Sequence, residues 1–367
     1  MDFYDIYEGH KRFHFDDFFS DVTATDVQSA LAGEKLTEQN FLALLSPAAE
    51  PFLEAMAHKA RRLTVQNFGK VVFLFTPLYL SNYCENQCAY CGFSSKNEIM
   101  RKKLTKQEMA AEAETIAAQD IKHILVLTGE SRDHTPPAYL NDCLGILNRH
   151  FSSISIEVYP LATEEYRALI AAGVDGLTVY QEVYNEKVYA KVHLAGPKRD
   201  YLYRLQAPER GCQAGMRTVT IGPLLGLDDW RREVFFAGVH AAYLQNKYWD
   251  AEVNLSFPRL RPHRGNFLPF APVDDRAFVQ LLLASRLFLP RAGLTLSTRE
   301  SADFRDRLLR LGVTKMSAWS STEVGGRKQG KRGSTQFEIA DQRDIAEMKE
   351  MLLSSGYQPI FKDWHKV

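Results

Sequence analysis

Ser81-Asn82-Tyr83-Cys84-Glu85-Asn86-Gln87-Cys88-Ala89-Tyr90-Cys91-Gly92-Phe93 sets three thiols within eight residues, at C-x3-C-x2-C spacing. Thiolates so close on one loop suit a metal centre. Four would close the coordination of a zinc ion or an iron–sulfur cube, whereas three leave one position open for a small molecule to bind and react. The open position argues for chemistry over structure. A structural zinc site is the alternative. It would recruit a histidine from elsewhere, and such sites usually pair short C-x2-4-C units with a second ligand pair, which this chain lacks. The remaining cysteines, Cys143 and Cys212, stand alone inside expected helices and read as small buried hydrophobes.

Working outward, the loop follows Val71-Val72-Phe73-Leu74-Phe75, a short apolar run rich in β-branched and aromatic residues, as expected of a buried strand. Upstream, as far as Gly69, the pattern is helical. The run from Ala49 to Ala60 spaces apolar residues at helical intervals, which predicts a helical extension over residues 1–70 packed across one end of the downstream domain. Beyond the loop, Thr105-Lys106-Gln107-Glu108 is a capping box that starts a helix. Strands are then expected at Ile121–Leu127, Ile154–Val158, Gly176–Tyr180, Arg217–Ile221, Ala251–Phe257, Leu294–Ser297 and Val313–Ser317, with helices between them.

Eight strands alternating with helices imply a parallel sheet and satisfy a closed (β/α)8 TIM-type barrel over residues 71–318. An open doubly wound sheet is the alternative, but no dinucleotide fingerprint follows the first strand. Residues 319–367 form a C-terminal extension with a final helix near Asp341–Ser355. The extension opens on a basic, glycine-rich stretch from Gly325 to Gly333, which reads equally as a lid, a docking loop or a solvated loop.

Composition excludes several function classes. Forty-five basic residues balance 45 acidic ones, so nothing favours nucleic acid as a partner. No run of about 18 apolar residues suggests a membrane span. The acidic, aromatic start is unlike a signal peptide, and thiols needed as metal ligands fit a reducing compartment, so a cytoplasmic location is expected.

In such a barrel, reactive groups sit at the carboxyl ends of the strands. Gly129-Glu130, Glu157, Gln181-Glu182 and Ser297-Thr298-Arg299 join the cysteine loop there. Taken with Leu127 to Glu130, Val179 to Tyr184, Ile221 to Leu227 and Leu296 to Glu300, the loop resembles the aromatic amino acid lyases of the radical S-adenosylmethionine superfamily, and most of all the tyrosine lyases of thiazole formation. The resemblance runs from about residue 50 to the end. It implies a [4Fe-4S] cluster on Cys84, Cys88 and Cys91, with S-adenosylmethionine on the open iron. Glu182 and Arg204 would hold the charged ends of the cofactor's methionine moiety, Gly129-Glu130 its amino group, and Tyr90 and Leu225 its adenine. Arg299 would bind the substrate carboxylate beside Ser297; the competing use of Arg299 is a surface ion pair with Glu300 or Asp303.

The reaction implied is radical cleavage of the Cα–Cβ bond of L-tyrosine, giving 2-iminoacetate and p-cresol. The implied partners are flavodoxin or ferredoxin as electron donor and thiazole synthase as recipient of the product. A related hydrogenase maturation lyase carries a second cluster on C-terminal cysteines, but this chain has none after Cys212. The Leu296–Glu300 stretch is also unlike biotin synthase. A tryptophan lyase and a non-catalytic metal-binding protein remain as alternative readings. Glu157, Tyr159, Arg259 and His263 all qualify as the residue that relays a proton to or from the phenol.

Overall fold

The structure is a computed structural model that describes residues 2–327 and 334–361. The barrel strands are β1 (Val71–Ser81), β2 (His123–Thr128), β3 (Ser153–Glu157), β4 (Gly176–Glu182), β5 (Thr218–Pro223), β6 (Glu252–Ser256), β7 (Gly293–Leu296) and β8 (Lys315–Ser317). Each pairs in parallel with the next, and β8 returns to β1, so the sheet closes into the expected barrel. Most strand ends fall within two residues of their expected positions, but β1 runs on to Ser81 and delivers the cysteine loop to the carboxyl rim.

The helices start where the sequence supplies caps. Thr105 accepts the Glu108 amide and Glu108 reaches back to Thr105, opening the helix Lys106–Ala117. Asp274 and Ser301 accept the Ala277 and Phe304 amides and so cap the helices Asp275–Phe288 and Ala302–Leu308. Cys143 and Cys212 are buried in the helices Pro137–Leu147 and Ala207–Ala214, as small core residues.

The N-terminal segment is helical, as expected, but it wraps the outside of the barrel more than it covers an end. Its helices Glu38–Leu45 and Leu53–Phe68 pack on Asp275–Phe288, and the first of them also packs on Trp230–Lys247. The reason lies in their apolar faces: Phe41 is fully buried and stacks on Phe288 at 4.4 Å. Leu53–Phe68 also meets residues 309–311, which lead into β8 at the amino-end rim.

After β8 the chain crosses the mouth of the barrel, where Ser320, Thr322, Gln336 and Phe337 face the interior cavity. Residues 328–333 of the glycine-rich stretch lie outside the described residues. The helix Ile345–Ser354 then leads to a strand, β9 (Gln358–Ile360), which pairs with Val71–Phe73 at the start of β1. Three residues centred on a proline carry no alternation, so β9 has no sequence signal. No helix among the described residues is long and apolar enough to cross a membrane.

Candidate active site

The cysteine loop is held from both sides. On one, Arg101 donates to the carbonyls of Asn82, Phe93 and Ser94 at 2.6, 2.8 and 2.7 Å. On the other, the amides of Gln87 and Ala89 donate to the carbonyls of Ala195 and Val192, each at 2.9 Å. Gly129 makes room for this packing, because a Cβ there would lie 2.2 Å from the Tyr83 carbonyl oxygen. The glycine therefore seats the loop against the end of β2.

Cys84, Cys88 and Cys91 are free thiols, and burial raises all three, Cys84 to about 11. Cys91 adds to the upward push on both Cys84 and Cys88, so the sulfurs share one small region. A structural zinc ion takes four protein ligands, whereas a cube takes each of three thiolates on a different iron and leaves the fourth open, so three thiols on one loop fit an iron–sulfur cluster.

Beside the thiols lies a buried group of charges. Arg204 donates to Glu130 at 2.9 Å and lies 3.5 Å from Glu182, while Lys198 sits 2.7 Å from Glu182 and 3.6 Å from Glu130. Burial works to raise Glu130, but the Lys198 and Arg204 charges overrule it and hold its carboxyl down at about 2. Asn86, from the cysteine loop, accepts the Lys198 amide and donates to Glu130, both at 2.8 Å. Glu182 adopts φ +69°, rare for a residue with a side chain, just beyond a register shift in the β4–β5 pairing. Strain there is held by the surrounding pairs.

Glu130, Glu182 and Arg204 thus meet as expected; Lys198 is the member that sequence reasoning misses. It follows Gly196-Pro197 in a short 3-10 turn, with no periodic pattern to announce it. Tyr90 is on the cavity wall, and its hydroxyl donates to His193 Nε2 at 2.7 Å. His193 has Nδ1 2.9 Å from the Tyr189 carbonyl, which can only accept, so the imidazole is neutral with its proton on Nδ1. Burial keeps it so. Leu224 lines the cavity, and Leu225, expected beside the adenine, is buried next to it with its amide bonded to the Pro258 carbonyl.

The cavity inside the mouth has about 1000 Å³ of space, counting its open entrance. Phe75, Pro77, Leu125 and Leu127 make an apolar wall, and Ser297, Arg299 and Glu157 provide polar groups. Arg299 stacks on Phe337 at 3.5 Å and donates to the Arg259 carbonyl at 3.3 Å. Its possible surface partners are engaged elsewhere: Glu300 pairs with Arg259 and Asp303 with Arg307. Arg261, Gln336 and Phe337 also line the cavity and had no sequence signal. Gln336 joins the mouth segment to the thiols, donating to Cys91 Sγ at 3.7 Å and accepting from Tyr79 at 2.7 Å.

Comparison with known proteins agrees with this geometry. The Radical SAM superfamily model matches residues 78–237, and the Biotin and Thiamin Synthesis associated domain model matches residues 256–358. The chain is 43% identical over 343 residues to the 2-iminoacetate synthase of Escherichia coli, covering 93% of this chain and 91% of that protein. The solved structure of the FeFe-hydrogenase maturase HydG from Carboxydothermus hydrogenoformans superposes with TM-score 0.86 at 33% identity, over 98% of this chain and 82% of the other. Methylornithine synthase (PylB), at 21% identity and TM-score 0.75 over 91% and 97% of the two chains, shares the fold.

Proposed function

The chain belongs to the 2-iminoacetate synthases of the radical SAM superfamily, and from that premise we propose that its barrel cavity is where L-tyrosine is held and cleaved between Cα and Cβ. The enzyme is a carbon–carbon lyase that uses a [4Fe-4S] cluster and S-adenosylmethionine and yields 2-iminoacetate and p-cresol. When bound, the cluster and S-adenosylmethionine supply the 5'-deoxyadenosyl radical that takes a hydrogen atom from the substrate amino group.

The chain's own residues bind and orient. Cys84, Cys88 and Cys91 are the cluster ligands. Glu130, Glu182, Lys198 and Arg204 together offer two anions and two cations to a zwitterionic ligand, and this matches the ammonium and carboxylate of the methionine moiety. Arg299 binds the tyrosine carboxylate with Ser297 alongside, and stacking on Phe337 fixes the plane of the guanidinium. The walls of the barrel and the segment across its mouth exclude water around the reacting atoms.

One observation carries the reading: a cavity lined by Cys91 and the Glu182–Lys198 pair also holds an arginine, Arg299, with no carboxylate partner among the described residues. The same proposal extends to partners. The cluster requires a one-electron donor, flavodoxin or ferredoxin, and an imine that hydrolyses readily favours direct transfer to thiazole synthase. The test is anaerobic turnover of reconstituted enzyme with S-adenosylmethionine, dithionite and L-tyrosine, assayed for p-cresol and 5'-deoxyadenosine. Arg299→Ala is expected to lose p-cresol at least about 100-fold at subsaturating tyrosine while keeping its iron, from the loss of a charge-assisted bidentate contact. Unchanged p-cresol formation would remove Arg299 from the substrate site.

A further inference from the structure

Of the four residues that could move the phenol proton, two are disposed of by their contacts and a third by its position. Tyr159 faces a different cavity and donates its hydroxyl to the Thr135 carbonyl at 2.7 Å. Arg259 is bound to Glu300, Asp275 and the Val273 carbonyl. His263 has a buried Nε2 with no hydrogen-bond partner among the described residues, but it does not line the main cavity and so stands out of reach of the phenol. Glu157 ends β3 with its carboxyl in the cavity, where it makes no hydrogen bond to any described residue.

Its position decides which proton it meets. In a closed ring of eight strands, β3 lies opposite β7, after which Arg299 follows. The tyrosine ammonium shares its Cα with the carboxylate, so a substrate anchored at Arg299 keeps both charged groups on the β7 side. Its ring then extends toward Leu125 and Leu127, and Leu127 is the register partner of Glu157. The other hydroxyls on that wall are occupied, since Tyr79 donates to Gln336 at 2.7 Å and Tyr180 donates to Ser256 at 3.0 Å.

We propose that Glu157 is the general base that takes the phenol proton of bound tyrosine as the Cα–Cβ bond breaks, and returns it to the phenolate oxygen of the cresol. The substrate O–H bond breaks as a Glu157 O–H bond forms, and the return reverses it, so the transfer involves no net oxidation. An ionised oxygen para to the breaking bond spreads the unpaired electron of the departing fragment, which lowers the barrier to cleavage. The carboxyl is poised for this: burial and the Glu182 charge raise it, Arg299, Lys198 and Arg204 oppose them, and the balance falls at about 7. Tyr79 and Tyr180 also face it, and burial keeps both neutral.

The proposal rests on the tyrosine lyase reading, and its test separates the two. Reconstituted wild type, Glu157→Gln and Glu157→Asp would be compared on L-tyrosine and on 3,5-difluoro-L-tyrosine, whose phenol is more acidic, across pH 6 to 9. Iron content and equilibrium tyrosine binding serve as controls. The wild-type rate should rise with pH through about 7, as the carboxyl becomes the carboxylate. Glu157→Gln should lose that rise and slow on tyrosine by about 100-fold or more, yet stay within about 10-fold of wild type on the difluoro substrate. Glu157→Asp should keep the rise. Equal slowing on both substrates with the pH rise intact would leave Glu157 only a positioning role and overturn the proposal. Wild-type enzyme that makes 5'-deoxyadenosine but no cresol would overturn the parent reading and this one with it.

Discussion

Lys198 stands between Glu130 and Glu182 with less than a tenth of its side chain exposed. Removing its charge would leave two buried carboxylates facing one guanidinium, and an uncompensated buried charge costs about 3 kcal/mol. Lys198→Met is therefore expected to bind S-adenosylmethionine at least about 10-fold more weakly and to unfold at lower urea; calorimetric titration and a urea melt would measure the two effects. Wild-type affinity would mean that Lys198 only neutralises the cluster of charges. The contrast with its neighbours explains what was legible at this scale. Glu130, Glu182 and Arg299 sit at strand ends, where the fold directs side chains into the mouth, so a strand count finds them. Lys198 reaches the site through an irregular turn that the Asn86 side chain and the Tyr189 hydroxyl fix in place. Glu157 could be named from sequence but not chosen, because the choice required knowing where Tyr159 and Arg259 spend their hydrogen bonds and that His263 stands outside the cavity.

At the scale of elements, the segment over the mouth approaches the cysteine loop through backbone. The Gly92 amide donates to the Gln336 carbonyl at 3.1 Å, and a Cβ on Gly92 would stand 2.5 Å from that oxygen and 2.7 Å from the Thr335 oxygen. Neither atom belongs to a flexible side chain, so the segment must shift. Gly92→Ala is expected to raise the KM for tyrosine about 10-fold by displacing Phe337 from Arg299, an effect of misplaced geometry. It should retain the three cysteines' iron, and faster proteolytic cleavage within 318–344 would report the shift. An unchanged KM and cleavage pattern would show that the segment tolerates the methyl group. The barrel elements themselves were readable because hydrophobic runs and caps recur along the chain. The crossing segment was not, since its order comes from contacts with residues more than 200 positions away.

For the molecule as a whole, a fully buried ion pair fastens the C-terminal extension to the barrel. Arg305 pairs with Asp341, and Arg343 donates to the same carboxylate at 2.7 Å. Arg343→Ala keeps the inner pair, whereas Asp341→Ala leaves Arg305 uncompensated inside the protein. The second should cost about 3–5 kcal/mol of stability and the first much less. Urea titration would compare them, and equal losses would contradict the assignment of Arg305–Asp341 as the fastening pair. The pair was invisible in sequence because nothing in an alternating βα pattern states which helix the extension returns to.

The strand that closes this extension has a consequence for how the protein comes into being. β9 pairs with the first residues of β1, Val71 to Phe73, from which it is far removed in the chain. During synthesis the cysteine loop leaves the ribosome well before Gln336 and β9. Contacts between such distant parts form late, because the intervening chain must be made and ordered first. The nascent polypeptide therefore passes through a stage in which its three thiols are present and its entrance has no cover. That interval, before the mouth segment is in place, is when the three thiols are most open to solvent.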